Sequence, residues 1–342
     1  MKRIALGAVL ASSIALIGCD SEDVRTMFQY VDLETGSTGF IAGDGSIAIR
    51  AQFDKVGDFS EGLAPVLLGR QYGFIGTDGR YAVNPQFDRA EGFSENLAAV
   101  QQDGKWGYID PTGSFIINAQ FDGARDFIDG IAPVRTGNRW GFVDSDGSYV
   151  INPQFDNAHS FENGYAAVRS GNRWGFIDDE GNYAINPQFT QVRGFAERHA
   201  AVRSGDSWGF IDRDGSFVIN PQFSGAYSFS GGKAAVRSGD RWGFVGIDGD
   251  FHINPQFDYA REFSEGLAAV RVDRSWGYID TDGRFVINPQ YDHAEPFTGG
   301  LALVSDAGKA GWITPEGAYV WYLDESEHEE QYVDSEWEDP RW

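Results

Sequence analysis

Three sets of residues in this chain have the types and spacing to do chemistry. The first is a group of loops, Asp144-Ser145-Asp146-Gly147, Asp212-Arg213-Asp214-Gly215 and Asp280-Thr281-Asp282-Gly283. They open like a calcium loop, where hard carboxylate oxygens gather round the cation. The later oxygens of such a loop are missing, above all a glutamate at its twelfth place. Other loops at the same spacing hold Gly76, Pro111-Thr112 or Gly246. Weak Ca2+ binding is one reading, a hairpin turn that favours Asp and Gly is the other, and no further cofactor is expected. The second set, Arg135, Arg169, Arg203, Arg237 and Arg271, recurs at one step. It reads as a binding stripe for acidic groups, or as the partner of Asp88, Asp122, Asp156, Asp258 and Asp292, which recur at the same step. The third is a tryptophan row, able to stack on sugar rings or to pack a core.

Catalytic patterns are harder to find. His159, His199, His252, His293 and His328 fall at different points of the period, with no metal-ligand spacing among them, and read as surface variation. The sequence shows no nucleophile elbow, P-loop or dinucleotide-binding glycine signature. Carboxylates abound, but no pair stands apart from the repeated ones. The expectation is a protein that is not an enzyme, with no catalytic and no metal-binding residues.

The elements that position these residues follow from one period. Trp106-Gly107, Trp140-Gly141, Trp174-Gly175, Trp208-Gly209, Trp242-Gly243 and Trp276-Gly277 stand 34 residues apart. One step back reaches Tyr72-Gly73, then Thr38-Gly39; one step forward reaches Ala310-Gly311, with Trp312 next. The phenylalanine of a Gln-Phe pair repeats from Phe53 to Phe257 and ends as Tyr291, and a second phenylalanine row runs from Phe59 to Phe297. This pattern resembles the WG (KWG) repeat family over residues 39 to about 322. The lysine that names the KWG form is Lys105 once, but arginine or serine in the other tryptophan repeats. The resemblance implies a repeat architecture and leaves the molecular role open.

One unit, Leu267 to Phe297, reads as three short strands. Ala268–Arg271 and Trp276–Ile279 flank a turn, and Asp280-Thr281-Asp282-Gly283 leads into Phe285–Asn288, ended by Pro289. The rest, Asp292 to Gly300, reads as a turn or a short helical connector. Both strand faces are apolar, so each sheet must stack between neighbours. Gly277 leaves room for a close approach, assigned to an aromatic of the next unit. The expected fold is all-β: tandem 34-residue repeats, each a three-stranded antiparallel meander, stacked as an open β-solenoid or superhelix. A closed propeller-like ring is the alternative. The degenerate ends, with Thr38 in the tryptophan place, read as caps and favour the open form.

The ends carry the address. Lys2 and Arg3 precede an apolar stretch, Ile4 to Ile17, too short for a comfortable membrane span and suited to export. Leu16-Ile17-Gly18-Cys19 resembles a bacterial lipobox. That resemblance implies cleavage before Cys19 and lipidation of the chain's one thiol; a plain signal peptide that happens to end at a cysteine is the other reading. Asp20 resembles an inner-membrane retention signal. The expected organisation is a signal peptide over 1–18, a tether and N-terminal cap over 19–38, eight units and a partial ninth over 39–322, and an acidic tail over 323–342. That tail holds nine acids against Arg341 alone. It reads as a solvated end, or as a docking segment through Tyr332, Trp337 and Trp342.

Composition excludes more than it selects. With 51 acidic and 27 basic residues, the net charge of −24 lacks the basic stripe that nucleic acid needs. A lone cysteine forms no internal disulfide, and 15% aromatics are too many for a disordered chain. The functional expectation is a lipid-anchored lipoprotein of the bacterial cell envelope, on its periplasmic or surface side. It would be a repeat-built scaffold for an envelope protein, the alternative being a binder of cell-wall or extracellular glycan.

Overall fold

The structure, a computed structural model, describes residues 26–324. Cys19, the lipobox and the tail from Glu325 to Trp342 lie outside the described residues. Within them the chain forms nine small antiparallel sheets in sequence order, joined as the blades of a closed propeller. Blade 3 shows the pattern, with strands Arg89–Ser94, Leu97–Gln102, Lys105–Ile109 and Phe115–Phe121. Leu97–Gln102 is buried on both sides at Ala98, Ala99 and Val100, because neighbouring blades cover both faces. Asp103 and Gly104 turn the chain with φ of 52° and 78°, the positive pair that a two-residue hairpin between twisted strands requires.

The unit is therefore four-stranded, not three-stranded. The stretch expected to be a connector supplies the first strand, as at Arg89–Ser94, Asn157–Glu162 and Tyr259–Ser264. Single residues such as Asp88 or Asp156 link it to the preceding blade. First strands of successive blades meet along Asn157–Glu162, Gln191–Ala196, Gly225–Ser230 and Tyr259–Ser264, whereas fourth strands stay apart. First strands therefore line the axis and fourth strands form the rim.

The close approach at the repeated glycine comes from within the blade. A Cβ on Gly277 would lie 2.5 Å from Ile287 O, 2.7 Å from Pro289 N and 2.9 Å from the Asn288 carbonyl carbon. The fourth strand buckles over the glycine, and the register shifts between Trp276 and Tyr278. Pro289 does not end that strand, which runs from Phe285 to Tyr291. It sits in a bulge of an edge strand, where a missing N–H costs no ladder bond.

The two phenylalanine rows stitch blade to blade. Phe93, Phe127, Phe195 and Phe297 meet Phe74, Tyr108, Phe176 and Tyr278 of the preceding blade at 4.7–4.8 Å between ring centroids. Nearer the rim, Phe53, Phe87 and Phe189 meet Tyr81, Phe115 and Phe217 of the following blade edge-on at 5.9–6.2 Å. Such pairs add about 0.5–1.5 kcal/mol each beyond the area they bury.

The ends meet instead of capping a solenoid. Blade 1 begins at Met27, with strands Met27–Val31, Thr38–Ala42 and Ile47–Phe53, so the expected cap over 19–38 is in part a blade. Blade 9 has four strands and ends with Tyr319–Asp324, so the array reaches past 322. Its Trp312 ring packs on Phe28 at 4.8 Å and donates from Nε1 to the Gln29 carbonyl at 2.8 Å. Trp321 meets Tyr30 at 5.2 Å, and Leu301 and Val320 complete this seam. Faces of blades 9 and 1 close the ring without exchange of a strand.

Candidate functional site

Because each blade is a meander, its turns alternate between two faces. The upper face carries the turns between first and second strands and the Asp-Gly hairpins between third and fourth. The lower face carries the hairpins between second and third strands and the links between blades. Each sequence-selected residue among the described ones falls on the axis, on one of these faces, or between blades.

The tryptophans lie between blades. Trp106, Trp242 and Trp276 are buried, and Trp140, Trp174 and Trp208 are half-buried. They form no continuous exposed ladder. The five arginines lie beside them at the lower face, all half-buried. The Arg169 and Arg271 guanidinium carbons sit 5.9 and 5.8 Å from the ring centroids of Trp174 and Trp276. Arg135 donates to the Asp122 carbonyl at 2.7 Å, while Arg203 and Arg237 face Asp206 and Asp240 at 3.7 and 3.6 Å.

The arginine row and the aspartate row do not pair with each other's side chains. The aspartates pair with the residue before the tryptophan: Asp122 with Lys105 at 2.6 Å, Asp156 with Arg139 at 2.7 Å, and Asp258 with Arg241. The other carboxylate oxygen accepts a backbone N–H from the next blade's hairpin, from Gly137 to Asp122 and from Gly171 to Asp156. The Lys105 ammonium and the Gly137 N–H hold the Asp122 carboxyl below the usual carboxylate range. Each aspartate is thus a clip between blades. Where Thr190 and Ser224 replace it, their hydroxyls donate to the same hairpin's carbonyls.

The Asp-x-Asp-Gly loops are hairpins of the upper face. Their first aspartate caps the turn: Asp144 Oδ1 accepts from Asp146 N and Ser148 N, and Asp212 and Asp280 do the same in their loops. Gly147, with φ of 82°, lies against Ile117 of the preceding blade. Among the described residues, no three His, Cys, Asp or Glu side chains converge as a metal would need.

The row that sequence reasoning missed lies on the axis. Its first strands, or the residue just past them in two blades, carry Glu91, Arg125, His159, Arg193, Tyr227, Arg261 and Glu295 at the 34-residue step. Here the repeats stop resembling one another. Arg125 lies over Trp140 at 5.1 Å and Arg193 over Tyr227 at 4.4 Å. Tyr227 and Tyr259 hydroxyls meet at 2.5 Å, and Arg261 pairs with Glu295 at 2.7 Å. The Glu295 carboxyl also takes a 2.6 Å contact from His293 and is held below its ordinary value despite burial. Burial and the Asp126 charge push Glu91 up, and burial pushes Asp126 up. Glu162, raised by burial and by Glu262, reaches across to Gly194, which has no side chain to exclude it. His159 is not surface variation. It packs on Trp174 at 4.8 Å, and burial together with the Arg125 charge brings its imidazole down to about 4. The available signal was internal: this row changes charge from unit to unit while the position before it stays small and apolar, as at Ala90, Ala124, Ala158, Val192 and Ala226.

The fold is a nine-bladed all-β propeller, and the sequence comparison finds the repeat from which its blades are built. The chain belongs to the WG containing repeat family, which matches eight times, over residues 39–70, 72–106, 106–140, 140–174, 174–206, 208–242, 242–274 and 276–309. No curated protein matches the sequence. A solved structure of a eukaryotic initiation factor is similar in fold, with a TM-score of 0.61 at 10% identity, over 87% of this chain and 96% of that one. Kluyveromyces lactis Hsv2p aligns at a TM-score of 0.42 and 13% identity, over 78% and 96% of the two chains. PorZ, a surface component of the Porphyromonas gingivalis type-IX secretion system, aligns at 0.33 and 9% identity, over 82% and 46%. The similarity to the first of these is one of fold alone.

Proposed function

We propose that this protein is a lipid-anchored scaffold of the bacterial envelope, whose ring binds a protein partner and performs no catalysis. The axial row carries the proposal. A framework repeated from blade to blade holds Glu91, Arg125, His159, Arg193, Tyr227, Arg261 and Glu295 in an order without rotational symmetry. Such a surface offers a partner one orientation, because misaligned charges repel. Leu16-Ile17-Gly18-Cys19 supports the anchor, and Asp20 supports retention at the inner membrane. The test is in-cell crosslinking from a photoreactive residue placed at Tyr227, with Tyr183 on the rim as control. A single envelope protein captured at the axis, and lost when Arg125, Arg193 and Arg261 are changed to glutamate in a folded ring, supports the scaffold. Equal capture from both positions, or capture unaffected by the charge reversal, sinks it.

A rim feature supports the glycan-binding alternative. Tyr81, Tyr149, Tyr183, Phe217, Phe251 and Phe285 form one row on the fourth strands, each 36–41% exposed. Aromatic faces of this kind stack on sugars. Retention on insoluble peptidoglycan, abolished by alanine at Tyr149, Tyr183 and Phe217, would favour this reading over a protein partner.

A further inference from the structure

We propose that the acidic C-terminal segment, residues 325–342, docks on the arginine–tryptophan row of the ring's lower face. This goes beyond the scaffold reading and does not depend on the lipid anchor. The place where the described chain ends is the first observation. In the last strand the backbone of Asp324 lies opposite Lys309 in the ladder register, at the hairpin between second and third strands of blade 9. The chain therefore leaves on the face that carries Arg135, Arg169, Arg203, Arg237 and Arg271. The remaining 18 residues span up to about 60 Å when extended, enough to pass several blades.

Charge is the second observation. The lower-face aspartates Asp122, Asp156 and Asp258 are consumed by their clips to Lys105, Arg139 and Arg241. Among the described residues Arg203 and Arg237 face Asp206 and Asp240, whereas Arg169 and Arg271 have no carboxylate within ion-pair distance. Their planes lie beside tryptophan, an arrangement that holds a guanidinium fork ready for a carboxylate. The upper face has the opposite character, with Asp144, Asp146, Asp178, Asp179 and Glu180 grouped on two adjacent hairpins. It repels the same segment. The segment has the chemistry to match the row: Glu325, Glu327, Glu329 and Glu330 for the guanidiniums, and Tyr332, Trp337 and Trp342 for the ring faces. The docked segment covers the arginines against other anions.

Lysine positions make this testable on the full chain. Lys55 and Lys105 lie on the lower face, and Lys233 begins a second strand at the upper face. Zero-length carbodiimide coupling, read by mass spectrometry, should join tail carboxylates to Lys55 or Lys105 and spare Lys233. Those links should vanish in 0.5 M salt. Tail links to Lys233 as frequent as those to Lys105, or no tail link beyond neighbouring Lys309, overturn the proposal. Links found only between isotopically light and heavy chains assign the segment to a second copy and overturn it too. Polyglutamate serves as the independent probe. A full-length variant with every tail Glu and Asp changed to Gln and Asn should bind it at least tenfold tighter than the parent chain, and equal binding refutes the masking.

Discussion

Closure of the ring rests on few groups, and Trp312 is the one to remove. In Trp312→Ala the seam loses the ring contact with Phe28 at 4.8 Å and the 2.8 Å hydrogen bond to the Gln29 carbonyl. Truncating a buried tryptophan costs about 3–5 kcal/mol. Trp312 is half-buried, so the lower end, about 3 kcal/mol, applies. In a ring held by nearest-neighbour contacts this is first a cost of opening one seam, not of unfolding every blade. The assay is native-state hydrogen exchange. Amides of Met27–Val31 and Thr38–Ala42 should exchange about a hundredfold faster, since each 1.4 kcal/mol is a factor of ten. Amides of Tyr165–Ser170, across the ring, should hardly change. Trp312→Phe keeps an aromatic on Phe28 and loses the hydrogen bond, so its effect should be about 1 kcal/mol. Unchanged exchange at Met27–Val31 in Trp312→Ala, or equal acceleration in all blades, would refute a seam closed in this way.

Three further outcomes follow from the geometry. Gly243→Ala puts a Cβ 2.6 Å from Ile253 O and 2.7 Å from Pro255 N, backbone atoms that cannot swing aside; it should cost about 3 kcal/mol or more in urea unfolding, against about 1 for Gly266→Ala, where space is open. His159 titrates near 4 in the ring and near 6.5 unfolded. Its contribution is whole above pH 6.5 and is lost as pH falls towards 4, about 2 kcal/mol by pH 5, and His159→Gln should remove that part of the acid sensitivity. Asp156→Asn weakens a clip that joins Arg139 to the Gly171 N–H and should cost about 1 kcal/mol at low salt and less at 1 M.

The period, the tryptophan-glycine pair and three of the four strands were legible because they carry strong apolar patterning. The first strand was not. Arg89–Ser94 and Gln191–Ala196 hold glycine and charge, and only Phe93 and Phe195 among them are fully buried. A strand at the axis gives up one side to water and to its neighbours' charges, so it reads as a loop. Openness was misread for a different reason. Whether stacked sheets drift into a superhelix or return to their start depends on the angle between neighbours, which no hydropathy pattern encodes. The ends looked degenerate because they are adapted to each other. A better signal lay two residues beyond the tryptophan: Phe40, Phe74, Tyr108, Phe142, Phe176, Phe210, Phe244, Tyr278 and Trp312 keep the 34-residue step unbroken. That row has nine members, and its last one seals the ring. The axial row was visible as variation, but its meaning needed the axis.

The seam also has an evolutionary side. Units this similar invite unequal recombination, which adds or deletes a whole repeat without a shift of frame. Interior junctions would scarcely register the event, since each unit meets a neighbour like the one it lost. The closing junction would. Each blade takes up about 40° of the circle, so an eight- or ten-unit chain brings Trp312 and Phe28 together only by straining every wedge. The end pair thus acts as a census of the array, penalising any chain in which the number of units has changed.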